Sequence, residues 1–280
     1  MRRARVIRLA VLAAVAAVTA TGCGAETEPP VGSIDVITRE TQISRPIDGY
    51  LPSGEQLRQL WQVRGAATTA CYAEHGTPGR TNVPPDLAAR LRIQRQEDVT
   101  RTRLYGFFGP EDARSRGYGS AFEGQRNLEM PAPWSRPEVV RQCEKAGSEA
   151  IGDLTLVTDE RILPDGGPPS ATNDSRVTEA VSKWSACMTR AGYPYQRPID
   201  PLIDPKWQRP ISTQKGEGPP ATPAEIAAAT TDIGCKLDTN LVGVAVAVQS
   251  AYDRRYIAAH ADALSRFKER LLGYTRTGTT

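Results

Sequence analysis

Apolar residues recurring at i, i+3, i+4 and i+7 divide the chain after residue 50 into helices separated by proline- and glycine-rich stretches. Ser53 and Gln56 form a capping-box pair ahead of Leu57, Leu60, Trp61, Ala67 and Cys71, one apolar stripe that Gly76 stops. A second helix is expected from Asp86, after Pro84-Pro85, carrying Leu87, Leu91 and Ile93 and breaking before Tyr105-Gly106. Pro110 opens a short helix that Gly117 closes. Ser135, Pro137 and Glu138 give a further N-terminus ahead of Val139, Val140, Cys143, Ala146 and Ala150. Val177, Ala180, Val181, Trp184, Cys187, Met188 and Ala191 keep the helical period almost without error, until Gly192 and Pro194 end it. Thr222-Pro223-Ala224-Glu225 combines a cap, a proline at the first helical position and a capping-box glutamate. The period then continues nearly to Leu272, with a kink expected near Gly234 or Thr239-Asn240. Leu241–Val248 has strand propensity, but the period on both sides argues for helix.

The fold class this pattern predicts is all-α: a disulfide-pinned helical bundle or paired helical hairpins with long proline-rich loops. Gly24–Tyr50 carries Pro29-Pro30 and no helical period, so it reads as a flexible tether that could reach roughly 90 Å when extended. Leu163–Asn173 is the clearest internal linker. Pro194–Pro220 holds seven prolines in 27 residues and is expected to be a long extended loop. The organisation that follows is a leader over 1–22, a lipidated cysteine and tether over 23–50, an N-terminal helical half over 51–162, a linker over 163–174 and a C-terminal half over 175–275. The two halves are free to pack as one body.

Composition changes this picture only at the N-terminus. The chain has 280 residues, 39% of them hydrophobic, which is ample for a core and excludes wholesale disorder. Met1–Cys23 has the form of an export signal: a basic MRRARVIR, then an unbroken apolar run of ten residues, Leu9–Val18, too short for a permanent span. Ala20-Thr21-Gly22-Cys23 resembles the bacterial lipobox, with Ala20 where leucine is usual; Cys23 would then carry a diacylglyceryl group, and two acyl chains anchor stably. The expected location is the outer face of the cytoplasmic membrane, or the medium if the lipobox is not used. Removing Arg2, Arg3, Arg5 and Arg8 with the leader leaves 31 basic against 32 acidic residues, so the mature protein is not a polycation and no nucleic-acid partner is expected.

Four cysteines remain after Cys23: Cys71, Cys143, Cys187 and Cys235. An even number in an exported protein implies two disulfides, with three possible connectivities. Both halves end a helix with C-x4-G, Cys71 to Gly76 and Cys187 to Gly192, and in both a capped helix later carries the second cysteine. The simplest pairing is therefore within each half, Cys71–Cys143 and Cys187–Cys235.

Cys187-Met188-x-x-x-Gly192-Tyr193, with Ile233-Gly234-Cys235-Lys236 and Thr239-Asn240-Leu241-Val242, resembles a group of actinobacterial lipoproteins with no assigned activity. Arg103-Leu104-Tyr105-Gly106, Ala113 and Gly117-Tyr118-Gly119 are similar to theirs as well. The resemblance covers most of the chain after residue 50 and implies an exported, mostly helical protein; Cys71-Tyr72 departs from its Cys-Met pattern.

Candidate chemistry is sparse. No G-x-S-x-G, HExxH, P-loop or G-x-G-x-x-G occurs. Cys71 and His75 share a helix face, but no third or fourth metal ligand is visible and no CxxC or HxxxH spacing exists, so neither metal nor cofactor is expected. His260 reads as a mid-helix packing or surface residue. Asp200 and Asp204, each before a proline, read as Asx turns rather than calcium ligands. Arg90, Arg92, Arg95, Arg101 and Arg103 outnumber Glu97 and Asp98, a pattern usual for a solvated face and otherwise suited to anionic lipid or wall polymer. Trp134, Tyr193, Tyr195 and Trp207 lie in or beside proline-rich loops, where aromatics cover small cores or line a groove. Tyr193, Tyr195, Arg197, Trp207 and Arg209 form the candidate binding loop. The expected function is a non-enzymatic binding module at the cell envelope, with a protein, peptide or wall-polymer partner. The alternative is an envelope-acting hydrolase or transferase using carboxylates such as Glu74 or Asp232.

Overall fold

The computed structural model describes residues 27–76, 105–118, 136–154, 156, 160–207 and 220–276. Among them every regular element is helical, and both disulfides close as expected, Cys71–Cys143 and Cys187–Cys235. The leader with Cys23, the helix expected from Asp86, the arginine-rich stretch over 90–103, Trp134 and Arg209 lie outside the described residues.

Helix α1 (Gly54–Glu74) starts at the expected capping box: the Gln56 N–H donates to Ser53 Oγ at 3.2 Å and the Ser53 N–H to Gln56 Oε1 at 2.9 Å. Helix α2 (Pro110–Arg116) stops at Gly117, which takes a left-handed φ of 59°. Helix α3 (Pro137–Ala150) runs antiparallel to α1, because Cys143 bonds Cys71 while Gly147 crosses Arg64 and Thr68. A Cβ on Gly147 would lie 2.1 Å from Thr68 Oγ1, so glycine sets how closely the two helices approach. Among the described residues the apolar cluster at that end is small, Cys71, Val139 and Cys143, and the disulfide pins the two helices there.

Helix α4 (Ser175–Arg190) is capped by Asp174, and a single turn, α5 (Asp200–Ile203), follows it. The long apolar tract then forms α6 (Pro223–Asp238), α7 (Leu241–Ala259) and α8 (Ala261–Arg276). The first break, at left-handed Asn240 (φ 46°), falls at the expected kink. The second was not expected: His260 terminates α7 rather than sitting mid-helix. Its Nδ1 lies 2.9 Å from the Tyr256 carbonyl, which can only accept, so that nitrogen carries the proton.

Besides the Cys71–Cys143 end and a patch of Ala171, Val177, Val248 and Tyr252 between α4 and α7, three apolar regions hold these helices. Ile47, Leu57, Leu60, Ile151, Leu264 and Phe267 join α1 and α8 to the segment after α3. Phe107, Phe108, Tyr118, Ile233 and Val242 join α2 to α6 and α7. Ala180, Trp184, Met188 and Leu241 seat α4 on the last two. Each of the first two regions draws on residues from both sides of 163–174, and Leu163 and Ala171 within that stretch are themselves buried.

Two expectations are corrected. The stretch expected to be a flexible tether is, from Thr27 on, laid along the body: Ile37 is 5% exposed and Ile47 fully buried. Its apolar residues fill gaps between helices one at a time, so no period advertises them. The proline-rich stretch after Pro194 is not simply extended either. Pro201 occupies the first turn of α5, where a missing N–H costs nothing, and Pro205 opens a 3-10 turn over Pro205–Trp207.

Candidate functional site

Residues 27–48 form a strap of two limbs crossing α7. The first limb is fixed at one end where Arg255 Nη1 donates to the Thr27 carbonyl at 2.8 Å. It is fixed at the other where Asn240 Nδ2 donates to the Asp35 carbonyl at 3.1 Å. Arg255 and Asn240 stand at opposite ends of α7, so this limb runs antiparallel to the helix. Gly243 is required by the contact: a Cβ there would meet the Asp35 carbonyl at 2.1 Å. The chain reverses through a 3-10 turn, Glu40–Gln42, and the second limb returns to Arg45. There the guanidinium grips the fully buried Asp253 carboxylate in two places, at 2.9 and 2.6 Å, and also pairs with Glu160. Burial works against the charge on Arg45, but the bonds to Asp253 and Glu160 prevail and raise its pKa above the ordinary value.

Between the limbs lies a groove of about 930 Å³. Its floor is one face of α7, Gly243, Val246, Ala247, Ser250 and Arg254, at helical spacing. Residues 30–33 and 35–37 form one wall; Gln42 and Ser44 contribute the other. Small floor residues leave room for a ligand backbone to approach, while Ser33, Gln42, Ser44 and Ser250 bring hydrogen-bonding groups. The two charged lining residues have opposite signs, Asp35 beside the Gly243 end and Arg254 at the other.

The candidate binding loop is folded onto the body in its described part. Tyr193, Tyr195 and Trp207 pack against the cores around α4 and α6. Tyr195 Oη donates to Asp204 at 2.6 Å, Trp207 Nε1 donates to Tyr195 Oη at 3.0 Å, and Lys206 lies over both rings. Burial resists charge on Asp204, but the bonds from Tyr195 and Lys206 outweigh it and hold that carboxyl below its usual range. Arg197 stays exposed and pairs with Asp200. Asp204 accepts from the Lys206 N–H, an Asx turn as expected, whereas Asp200 accepts from the Arg197 N–H before it at 2.8 Å and forms no such turn. These groups are occupied with one another.

Glu74 is exposed at the end of α1, and the Cys71–His75 and Asp232 candidates are structural. Cys71 Sγ, Cys143 Sγ and a His75 ring nitrogen lie within 4.8 Å of one another. The sulfurs are bonded to each other, however, and metals are held by thiolates. Asp232 is sealed: it accepts from Trp184 Nε1 and Lys236 Nζ, both at 2.9 Å, and neither its side chain nor that of Lys236 is exposed. Burial pushes the Asp232 carboxyl up and the Lys236 ammonium down, against their mutual attraction. Lys236 also donates to the Gly106 carbonyl, which the successive left-handed residues Tyr105 and Gly106 turn inward. Such a carboxylate cannot meet a substrate. Glu225, expected to complete a capping box, instead accepts from the Tyr118 N–H and is buried.

No family model, curated protein or solved structure matches the chain. Among the described residues, no helix is long and apolar enough to cross a membrane. Sequence reasoning missed the strap because it looked for periodicity. The available signal was Ile34, Val36, Ile37, Ile43 and Ile47, a density of β-branched apolar residues too high for a solvated linker.

Proposed function

We propose that the protein is a lipid-anchored, extracytoplasmic binding module with no catalytic role, and that the groove on α7 seats an extended peptide segment of an envelope partner. The groove carries the reading. Beyond the Asp35 contact at Gly243, the floor from Val246 to Arg254 extends about 12 Å, the span of roughly four residues of extended chain. Asp35 and Arg254 near its ends suit a segment with a basic residue at one end and an acidic residue at the other. The hydroxyls and the Gln42 amide between them offer partners to a peptide backbone. Anchoring rests on Ala20–Cys23, and membership of the lipoprotein group rests on the motifs around Cys187 and Cys235.

A photo-crosslinking residue at Ala247, compared in living cells with one at exposed Lys145 on α3, tests the reading. The expected adduct forms at Ala247 alone, maps to one short segment of one protein, and weakens when Arg254→Glu reverses the charge. Identical adducts from both positions, or none from Ala247, would overturn the groove. Separately, Cys23→Ala should abolish labelling by fatty acid and release the protein to the medium.

A further inference from the structure

The described body begins at Thr27, four residues after Cys23, and four residues of chain span at most about 14 Å. Thr27 is not loose. Arg255 holds its carbonyl, Ser175 donates to the Glu28 carboxylate from both its N–H at 2.6 Å and its hydroxyl at 2.8 Å, and Arg176 holds the Pro29 carbonyl at 3.0 Å. A protein anchored through Cys23 therefore holds Thr27 within about 14 Å of the anchor. The strap that starts there exposes two large apolar side chains, Ile34 at 44% and Val36 at 62%. Both stand on the first limb, on either side of Asp35. Arg39, exposed in the turn beyond them, balances the charge of the exposed Asp35 that stands between them. Apolar side chains beside an arginine suit a lipid headgroup layer: the hydrocarbon is buried while the guanidinium stays at phosphate level.

We infer that the outer edge of the strap, Ile34 and Val36 with Arg39, sits in the headgroup layer of the membrane carrying the anchor; with Cys23 close to Thr27 at the other end of the first limb, this lays α7 along the bilayer surface. The inference rests on the lipid-anchored reading above, extends it from a point of attachment to a defined face, and commits to phospholipid as the partner. Any ligand of the groove would then be met at the membrane surface, since the first limb forms both the groove wall and the docking edge.

The test separates docking from biosynthetic anchoring. Mature protein is coupled through the Cys23 thiol to a maleimide-headgroup lipid in vesicles, so attachment is assured whatever the cell does; a mass spectrum of protein from cells reports native lipidation independently. An environment-sensitive fluorophore is clicked onto an azide-bearing residue at Ser33 and, for comparison, at Lys145. Brominated lipids should quench the Ser33 probe and not the Lys145 probe. Ile34→Ser with Val36→Ser should reduce that quenching about threefold while the helical signal and melting stay unchanged. Arg39→Gln should reduce it in anionic vesicles and leave it unaltered in zwitterionic ones. An unquenched Ser33 probe on coupled protein, equal quenching at both positions, or indifference to the Ile34/Val36 change overturns the docking edge. Absence of lipid on Cys23 in cells, with docking intact on vesicles, overturns the anchoring reading instead.

Discussion

At the scale of single residues, the pair Asp232–Lys236 decides how the centre of the molecule is held. Two opposite charges with no exposure are costly to desolvate, and their attraction offsets that cost only while both are present and hydrogen-bonded. Trp184 Nε1 and the Gly106 carbonyl complete the bonding, which ties α4, α6 and the left-handed turn before Phe107 to one point. Lys236→Met strands a buried carboxylate and is expected to cost about 3–5 kcal/mol by denaturant unfolding. Asp232→Leu combined with Lys236→Met should recover most of that loss. A double variant no more stable than the single one would show that the pair is not the source of the effect. The i, i+4 spacing of these two residues was visible in the sequence, as was Asp232 itself as a candidate carboxylate. What was invisible was burial: an ion pair on a helix surface and one in a core have the same spacing.

Elements were legible where their ends are chemically marked. Ser53–Gln56, Pro110–Gly117, Gly192 and Thr222-Pro223 all act as their types require, and Asn240 supplies the left-handed break between α6 and α7. The disulfide pairing was legible too, because each half repeats the order helix, loop, capped helix. The break at His260 was missed since Ala259-His260-Ala261 contains neither glycine nor proline, and the apolar period passes through it. The loop after Pro194 was read by its prolines alone, whereas its aromatics give it a structure. Tyr195, Lys206 and Trp207 form a small closed unit over Tyr118, whose ring centroid is 6.1 Å from that of Trp207. Tyr195→Ala with Trp207→Ala should therefore lower stability by about 1–3 kcal/mol, the half-buried fraction of an aromatic truncation. Crosslinking at Ala247 should persist in whatever fraction stays folded. Unchanged melting with lost partner capture would return the binding role to this loop and take it from the groove.

At the scale of the whole molecule, the strap converts two sets of helices and an N-terminal extension into one body. Ile47 enters the core under α1 and α8, Ile37 enters the core under α2 and α6, and Arg45 neutralises Asp253 between them. A tether contributes nothing to stability; this segment contributes to both cores and to a buried charge. Each buried isoleucine is worth about 1.5–3 kcal/mol, and a stranded Asp253 costs about 3–5 kcal/mol. Their sum rivals the 5–15 kcal/mol that typically separates a folded protein from its unfolded chain. A chain beginning at Tyr50 should accordingly lose its cooperative thermal transition, although every helix of the described body is still encoded in it. Arg45→Met is the gentler version, with an expected fall in melting temperature of about 10 °C and faster amide exchange across 27–44. Calorimetry and hydrogen exchange on the full mature chain give both readings. If the shortened chain melts as the full one does, the strap is a passive appendage. The groove and the docking edge, which exist only while it is pinned, would then lose their foundation together.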